Sequence, residues 1–153
     1  MKIKKILMVL AMLIIASSCS KNEKNTESEG ANQDGGKKVV TVTTSFLYDM
    51  VDNLVGDKVD KELIIPAGED PHLYTAKPQD LEKIKKADLL LYHGLHFEGK
   101  MVDVLEKRGS AVARSFKKED VGEMEQDGEV VVDPHFWFNI NLYKEATRNA
   151  AED

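Results

Sequence analysis

From residue 39 onward this chain alternates short β-branched or aliphatic runs with stretches whose apolar residues recur at helical spacing. That alternation admits few folds besides an α/β layer. Val39 to Thr43 is β-branched throughout and reads as a strand buried on both faces. Thr44 or Ser45 can cap a following helix that carries Phe46, Leu47, Met50, Val51 and Leu54 and stops at Gly56. Val59 to Ile65 reads as a second strand, ended by Pro66-Ala67-Gly68. Pro78 opens a helix with Leu81 and Ile84 inward and Ala87 near its end, and Leu89 to Tyr92 follows as a fully apolar strand. Glu98 to Lys107 is expected to be helical with Met101, Val102 and Leu105 apolar, closed by Gly109, and Ala111 to Phe116 to be another strand. Lys117 to Glu129 reads as a charged loop, and Val130 to Val132 as a short strand running into Asp133-Pro134-His135. The expectation is a parallel sheet flanked by helices, with right-handed crossovers and with ligands at the carboxyl ends of the strands.

The residues before this layer have another character. Lys2, Lys4 and Lys5 precede an unbroken apolar run from Ile6 to Ala16, which is signal-peptide length and too short for a membrane span. Ala16-Ser17-Ser18 places small residues directly before Cys19, the only cysteine. This looks like a lipobox, with residues 1–18 a lipoprotein signal peptide and Cys19 the lipidated residue; an ordinary signal cleaved after Ala16-x-Ser18 is the alternative. No disulfide within one chain is then available. Ser20 to Lys38 is almost free of apolar residues, so residues 19–38 read as a flexible tether. Losing the signal takes the formal charge from −6 to −9, which argues against nucleic acid as a partner.

Two identical tripeptides carry the chemistry. Asp70-Pro71-His72 and Asp133-Pro134-His135 use two of the four prolines and two of the four histidines, and each is followed by an apolar and aromatic pair, Leu73-Tyr74 and Phe136-Trp137. Proline fixes its own φ and biases the preceding aspartate toward extended backbone, so each histidine leaves a strand end on a stiff elbow. A neutral imidazole ligates zinc and neighbouring divalent metals. A nearby carboxylate can accept its second ring N–H, which makes Asp70 and Asp133 the candidates to orient the rings of His72 and His135. The bland reading is a pair of Asp-Pro turns with surface histidines. His93 and His96 read as ordinary loop histidines. His96-x-Glu98 has the start of a zinc deaminase signature, but a Cys-x-x-Cys half is impossible with Cys19 alone.

Gly68-Glu69-Asp70-Pro71-His72-Leu73-Tyr74, Pro78-x-Asp80, Ala87-Asp88-Leu89 with Gly94-Leu95 and Glu98, and Asp133-Pro134-His135-Phe136-Trp137-Phe138 together resemble the cluster A-I substrate-binding proteins of zinc and manganese ABC importers. The resemblance implies a two-lobed periplasmic-binding-protein-like fold joined by a long helix, with metal-ligating histidines at His72 and His135 in the first lobe. It also implies a carboxylate and a further His or Glu from a second lobe, and a membrane permease as partner. Residues 39–140 would then be the amino-terminal metal-binding lobe, and residues 141–153 the start of a truncated helix, since Leu142, Ala146 and Ala150 recur at helical spacing with no Gly, Pro or basic final turn. The second lobe would be missing. His93 stands where the family commonly has Asn, and Asn139 where it commonly has Asp. The loop 117–129 has acids but no histidine, which tilts slightly away from a dedicated zinc system; zinc, manganese and iron all remain open.

The expected function is therefore an extracytoplasmic, lipid-anchored receptor for a divalent metal, Zn or Mn, without catalysis and without a catalytic cofactor. A metallohydrolase with Glu69 as base lacks a third protein ligand. A surface adhesin-like lipoprotein, or a non-functional fragment of such a receptor, are the other readings.

Overall fold

The computed structural model describes residues 36–126 and 128–153. The segment expected to be a signal peptide (residues 1–18), Cys19 and the expected tether up to residue 35 lie outside the described residues. Among the described residues there are six strands: β1 (Val39–Val42), β2 (Asp60–Leu63), β3 (Leu89–Tyr92), β4 (Ser110–Ala111), β5 (Glu123–Gln126) and β6 (Glu129–Val132). The α-helices described with them are α1 (Ser45–Val55), α2 (Pro78–Lys86), α3 (Val102–Leu105) and α4 (Ile140–Glu152). The first four strands form one parallel sheet in the order β2-β1-β3-β4.

Side-chain alternation divides the core between the two faces of this sheet. Val40, Val42 and Leu91 join Leu47, Met50 and Val51 of α1 and Leu142 and Ala146 of α4 on one face. Leu90 and Tyr92 join Ile84 of α2, Met101 and Leu105 on the other. Both faces are covered, which is why β1 and β3 read as continuous apolar runs instead of alternating ones.

The helix ends follow local chemistry. Thr44 caps α1 by accepting the Leu47 N–H at 3.4 Å, and Gly56 ends it at φ 54°, a conformation that favours glycine. Pro78 occupies the first turn of α2, where the Asp80 carboxylate accepts the Lys77 N–H at 2.8 Å. Asn139 caps α4 through the Asn141 N–H at 3.0 Å. Asn149 then docks α4 against the loop after β4, donating to the Val112 carbonyl and the Ser115 hydroxyl, each at 2.8 Å.

Four expectations need correction. Leu81 is 45% exposed, because the inward position of the first turn of α2 is taken by Asp80, which receives the Tyr74 hydroxyl at 2.8 Å. The Ala111–Phe116 run pairs only at Ser110–Ala111; its apolar residues Val112 and Ala113 are buried in a turn against the strand ends, where they donate N–H groups to the Tyr92 and His93 carbonyls. The Glu98–Lys107 helix is a 3₁₀ turn at Gly99–Met101 followed by the single turn of α3.

The fourth correction bears on the site. The charged segment 117–129 contains β5, which pairs antiparallel with β6 in a separate hairpin. β6 does not join the parallel sheet, and Val130 is 72% exposed. Its three valines belong to a two-stranded ribbon with little behind it.

Candidate metal centre

His72 sits in the loop that leaves the end of β2 and returns as α2, and His135 follows β6. The two elbows therefore leave different sheets. Each aspartate accepts the backbone N–H two residues ahead, Asp70 from His72 at 2.9 Å and Asp133 from His135 at 3.0 Å. These turns, with proline between, leave the histidine backbones little freedom.

The imidazoles meet. Their ring centroids are 5.5 Å apart with planes at 65°. Two imidazoles bound to one zinc at about 2.1 Å and a tetrahedral angle have centroids about 5 Å apart. The observed spacing thus admits an ion between the rings.

The two aspartates act differently on their rings. The Asp133 Oδ1 lies 2.6 Å from the His135 Nδ1 and, as the carboxylate, accepts its N–H, which leaves Nε2 with its lone pair for a ligand. The Asp133 carboxyl is held below its usual value, mainly by the His135 backbone N–H, with the ring adding to it against the opposing effect of burial. The Asp70 carboxylate meets only the His72 backbone N–H among the described hydrogen bonds, and not its ring.

Aromatic rings wall this pair. Phe97 packs edge-on against His72 at 4.8 Å and His135 at 5.8 Å. Trp137 lies 5.2 Å from His135 and stacks on Phe46 at 4.9 Å. A cavity of about 280 Å³ opens between them, with Glu69 on its rim. Among the described residues no group of three or more His, Cys, Asp or Glu side chains converges on one point. Two imidazoles supply half of a tetrahedral set.

Behind the rings lies a buried polar cluster that reading the sequence missed. His93, expected as a loop histidine, is buried, with Nε2 2.7 Å from the Thr44 hydroxyl. The Glu98 Oε1 accepts the Thr43 hydroxyl and the His93 backbone N–H, both at 2.7 Å. Burial pushes the Glu98 carboxyl up to about 7. It pushes His93 down to about 3, with the charge of His135 adding to the effect. His96 is exposed while Glu98 points inward, so the two do not share a surface. The one signal in the sequence was Thr43-Thr44 at the end of a fully buried strand, where hydroxyls need internal partners.

A parallel sheet covered on both faces, with an imidazole pair meeting beyond the ends of its central strands, is an α/β lobe whose candidate ligand site lies where such sheets carry theirs. Residues 40–153 match the model of the family described as zinc-uptake complex component A, periplasmic. The chain belongs to that family. It is 41% identical over 124 residues to the manganese-binding lipoprotein MntA of Bacillus subtilis, a match covering 77% of this chain and 39% of the relative. With the zinc-binding protein TroA of Treponema pallidum it shares 36% over 119 residues, covering 76% of this chain and 39% of TroA. The solved structure of the latter, a periplasmic zinc-binding protein, superposes with a TM-score of 0.68 at 35% identity, over 76% of this chain and 43% of that one. A TroA structure concerned with metal-binding specificity superposes at 0.73 with 62% identity, over 76% and 42% respectively. The chain thus spans less than half the length of these relatives.

The buried cluster has a pH signature. The pKa of Glu98 is raised in the fold, so the stability it contributes is present below its ordinary 4.5 and is lost as pH rises through about 7. The pKa of His93 is lowered, so its contribution is present above 6.5 and is lost as pH falls toward about 3. The two nearly cancel in the wild-type chain between 4.5 and 6.5. Glu98→Gln removes only the first. Urea midpoints should therefore show the stability of Glu98→Gln relative to wild type increasing from pH 4.5 to 7 and levelling beyond; a difference independent of pH would contradict the burial argument.

Proposed function

We propose that this chain forms the metal-capturing first lobe of an extracytoplasmic receptor that hands a divalent cation, zinc or manganese, to the permease of an ABC importer. The observation that carries this reading is the 5.5 Å approach of the His72 and His135 rings, with Asp133 holding one of them in the tautomer that ligates. Two of the relatives are named for binding manganese or zinc, and several others as substrate-binding lipoproteins of manganese or metal ABC transporters. In this reading the ion is cargo, not a catalyst. The aromatic wall excludes water from one side of it, and the remaining donors would come from other residues of a longer receptor. Imidazole and carboxylate donors serve both metals, so the choice between them lies with those donors.

The reading assigns residues 1–18 as an export signal, Cys19 as the lipid-bearing residue and residues 20–38 as the tether. Replacing Cys19 with Ala should move the chain from the membrane fraction to the soluble one; retention in the membrane fraction would remove the anchor from the proposal.

Metal affinity tests the ligands. With two imidazoles the chain should take up one Zn²⁺ or Mn²⁺ in the micromolar range or weaker, roughly. His72→Ala and His135→Ala should each reduce calorimetric affinity severely. Asp133→Ala should lower it about 10- to 100-fold by releasing the His135 ring, and Asp70→Ala by less. Unchanged affinity in both histidine variants would eliminate these ligands.

A further inference from the structure

The Glu98 side chain is fully buried, and no cation pairs with it among the described residues. Its second oxygen, Oε2, has no hydrogen-bond partner there either. A carboxyl in such surroundings is destabilising compared with an apolar or amide side chain of similar volume. What it does locally is join two strand ends to one turn. Oε1 takes the Thr43 hydroxyl from the end of β1 and the His93 N–H from the end of β3.

The turn that Glu98 closes is itself strained. Gly94, Leu95 and His96 succeed one another at φ 87°, 55° and 59°, and Gly99 follows at 42°. Two of these four are side-chain-bearing residues in the left-handed region, a conformation that costs free energy and persists only when its surroundings impose it. Two turn hydrogen bonds, Phe97 N–H to the Gly94 carbonyl at 3.0 Å and Gly99 N–H to the His96 carbonyl at 3.1 Å, complete the loop.

This turn is the surface on which His72 rests. A Cβ placed on Gly99 would overlap the His72 carbonyl oxygen, with the carbonyl carbon 2.9 Å away. From the same turn, the Phe97 ring meets His72 at 4.8 Å and His135 at 5.8 Å. The loop that carries His72 is anchored to either side of it, by the Ile64 and Ile65 N–H groups on the Val42 and Thr43 carbonyls and by the buried Tyr74 hydroxyl on Asp80. The backbone hydrogen bonds of Glu69, Leu73 and Tyr74 run to Pro66 and Asp70 of the same loop, and no strand ladder includes its residues. At His72 itself the contact from beneath comes from the turn 94–99, through Gly99 and Phe97.

We infer that Glu98 is a positioning residue for the metal site: its carboxyl fastens the turn 94–99 to the ends of β1 and β3, and the turn, through Phe97 and the bare backbone of Gly99, holds His72 opposite His135. This rests on reading the two histidines as ligands, and the test separates the two ideas.

The experiment uses the full chain with three variants. Glu98→Gln keeps an acceptor oxygen for Thr43 and His93; Glu98→Ala removes it; Gly99→Ala leaves the cluster intact and puts a methyl group against the His72 carbonyl. Far-UV circular dichroism checks the fold, calorimetry with Zn²⁺ alone reads affinity, and metal-free NMR reads the nuclear Overhauser contact between Phe97 and His72. Glu98→Gln should bind like wild type, whereas Glu98→Ala and Gly99→Ala should bind about 10-fold or more weakly and lose the Phe97–His72 contact while remaining folded. Wild-type affinity and an unchanged contact in folded Gly99→Ala or Glu98→Ala would overturn the inference. So would unfolding of Gly99→Ala, since this exposed position would then be serving folding and not placement. If Glu98→Ala alone unfolds, Gly99→Ala decides. If the wild-type chain binds no Zn²⁺, the ligand reading fails, and the NMR contact alone decides whether Glu98 places His72.

Discussion

The contact between the His72 and His135 rings joins two parts of the chain that are far apart in sequence. One ring comes from a loop after β2, the other from the end of a hairpin outside the parallel sheet. Neither is on a helix or strand, so each needs a local device to limit its freedom. The Asp-Pro elbow is that device for the backbone, and at His135 it also fixes the ring. A ligand held in this way loses little freedom when an ion arrives, which is the physical meaning of preorganisation at a capture site.

The sheet supplies what the elbows cannot. β1 and β3 lie side by side at its centre, and their ends present Thr43, Thr44 and His93 just behind the aromatic wall. The Glu98 carboxyl draws these ends to the turn that bears Phe97. A buried carboxyl and a buried imidazole, each with an unpartnered atom, reduce stability. Their place directly behind the two half-buried imidazoles is where a fold trades stability for geometry.

Much of the layer was legible because its signals are local. The β-branched run at Val39, the apolar run Leu89–Tyr92 and the i, i+4, i+8 spacing of Leu142, Ala146 and Ala150 each specify an element without help from elsewhere. The elements that were misread depend on tertiary context. Leu81 has the right spacing for the core, yet Asp80 takes the inward place because Tyr74 waits there with a hydroxyl. β5 is Glu-Met-Glu-Gln, whose charges conceal a strand until Gly128, at φ 84°, turns it against β6. The elbows themselves were visible as a repeated tripeptide. His93 and Glu98 were not, because a polar residue reveals its burial only when its partners are known, and those partners lie about 50 residues away along the chain.

The central claim is that one ion is shared by His72 and His135. Following both imidazoles by ¹H–¹⁵N NMR during a Zn²⁺ titration tests it most directly. The account predicts that the His135 Nε2 and one ring nitrogen of His72 shift together and saturate at one equivalent, while the His135 Nδ1 keeps its proton. Response of only one ring, or two rings saturating independently at two equivalents, would contradict it.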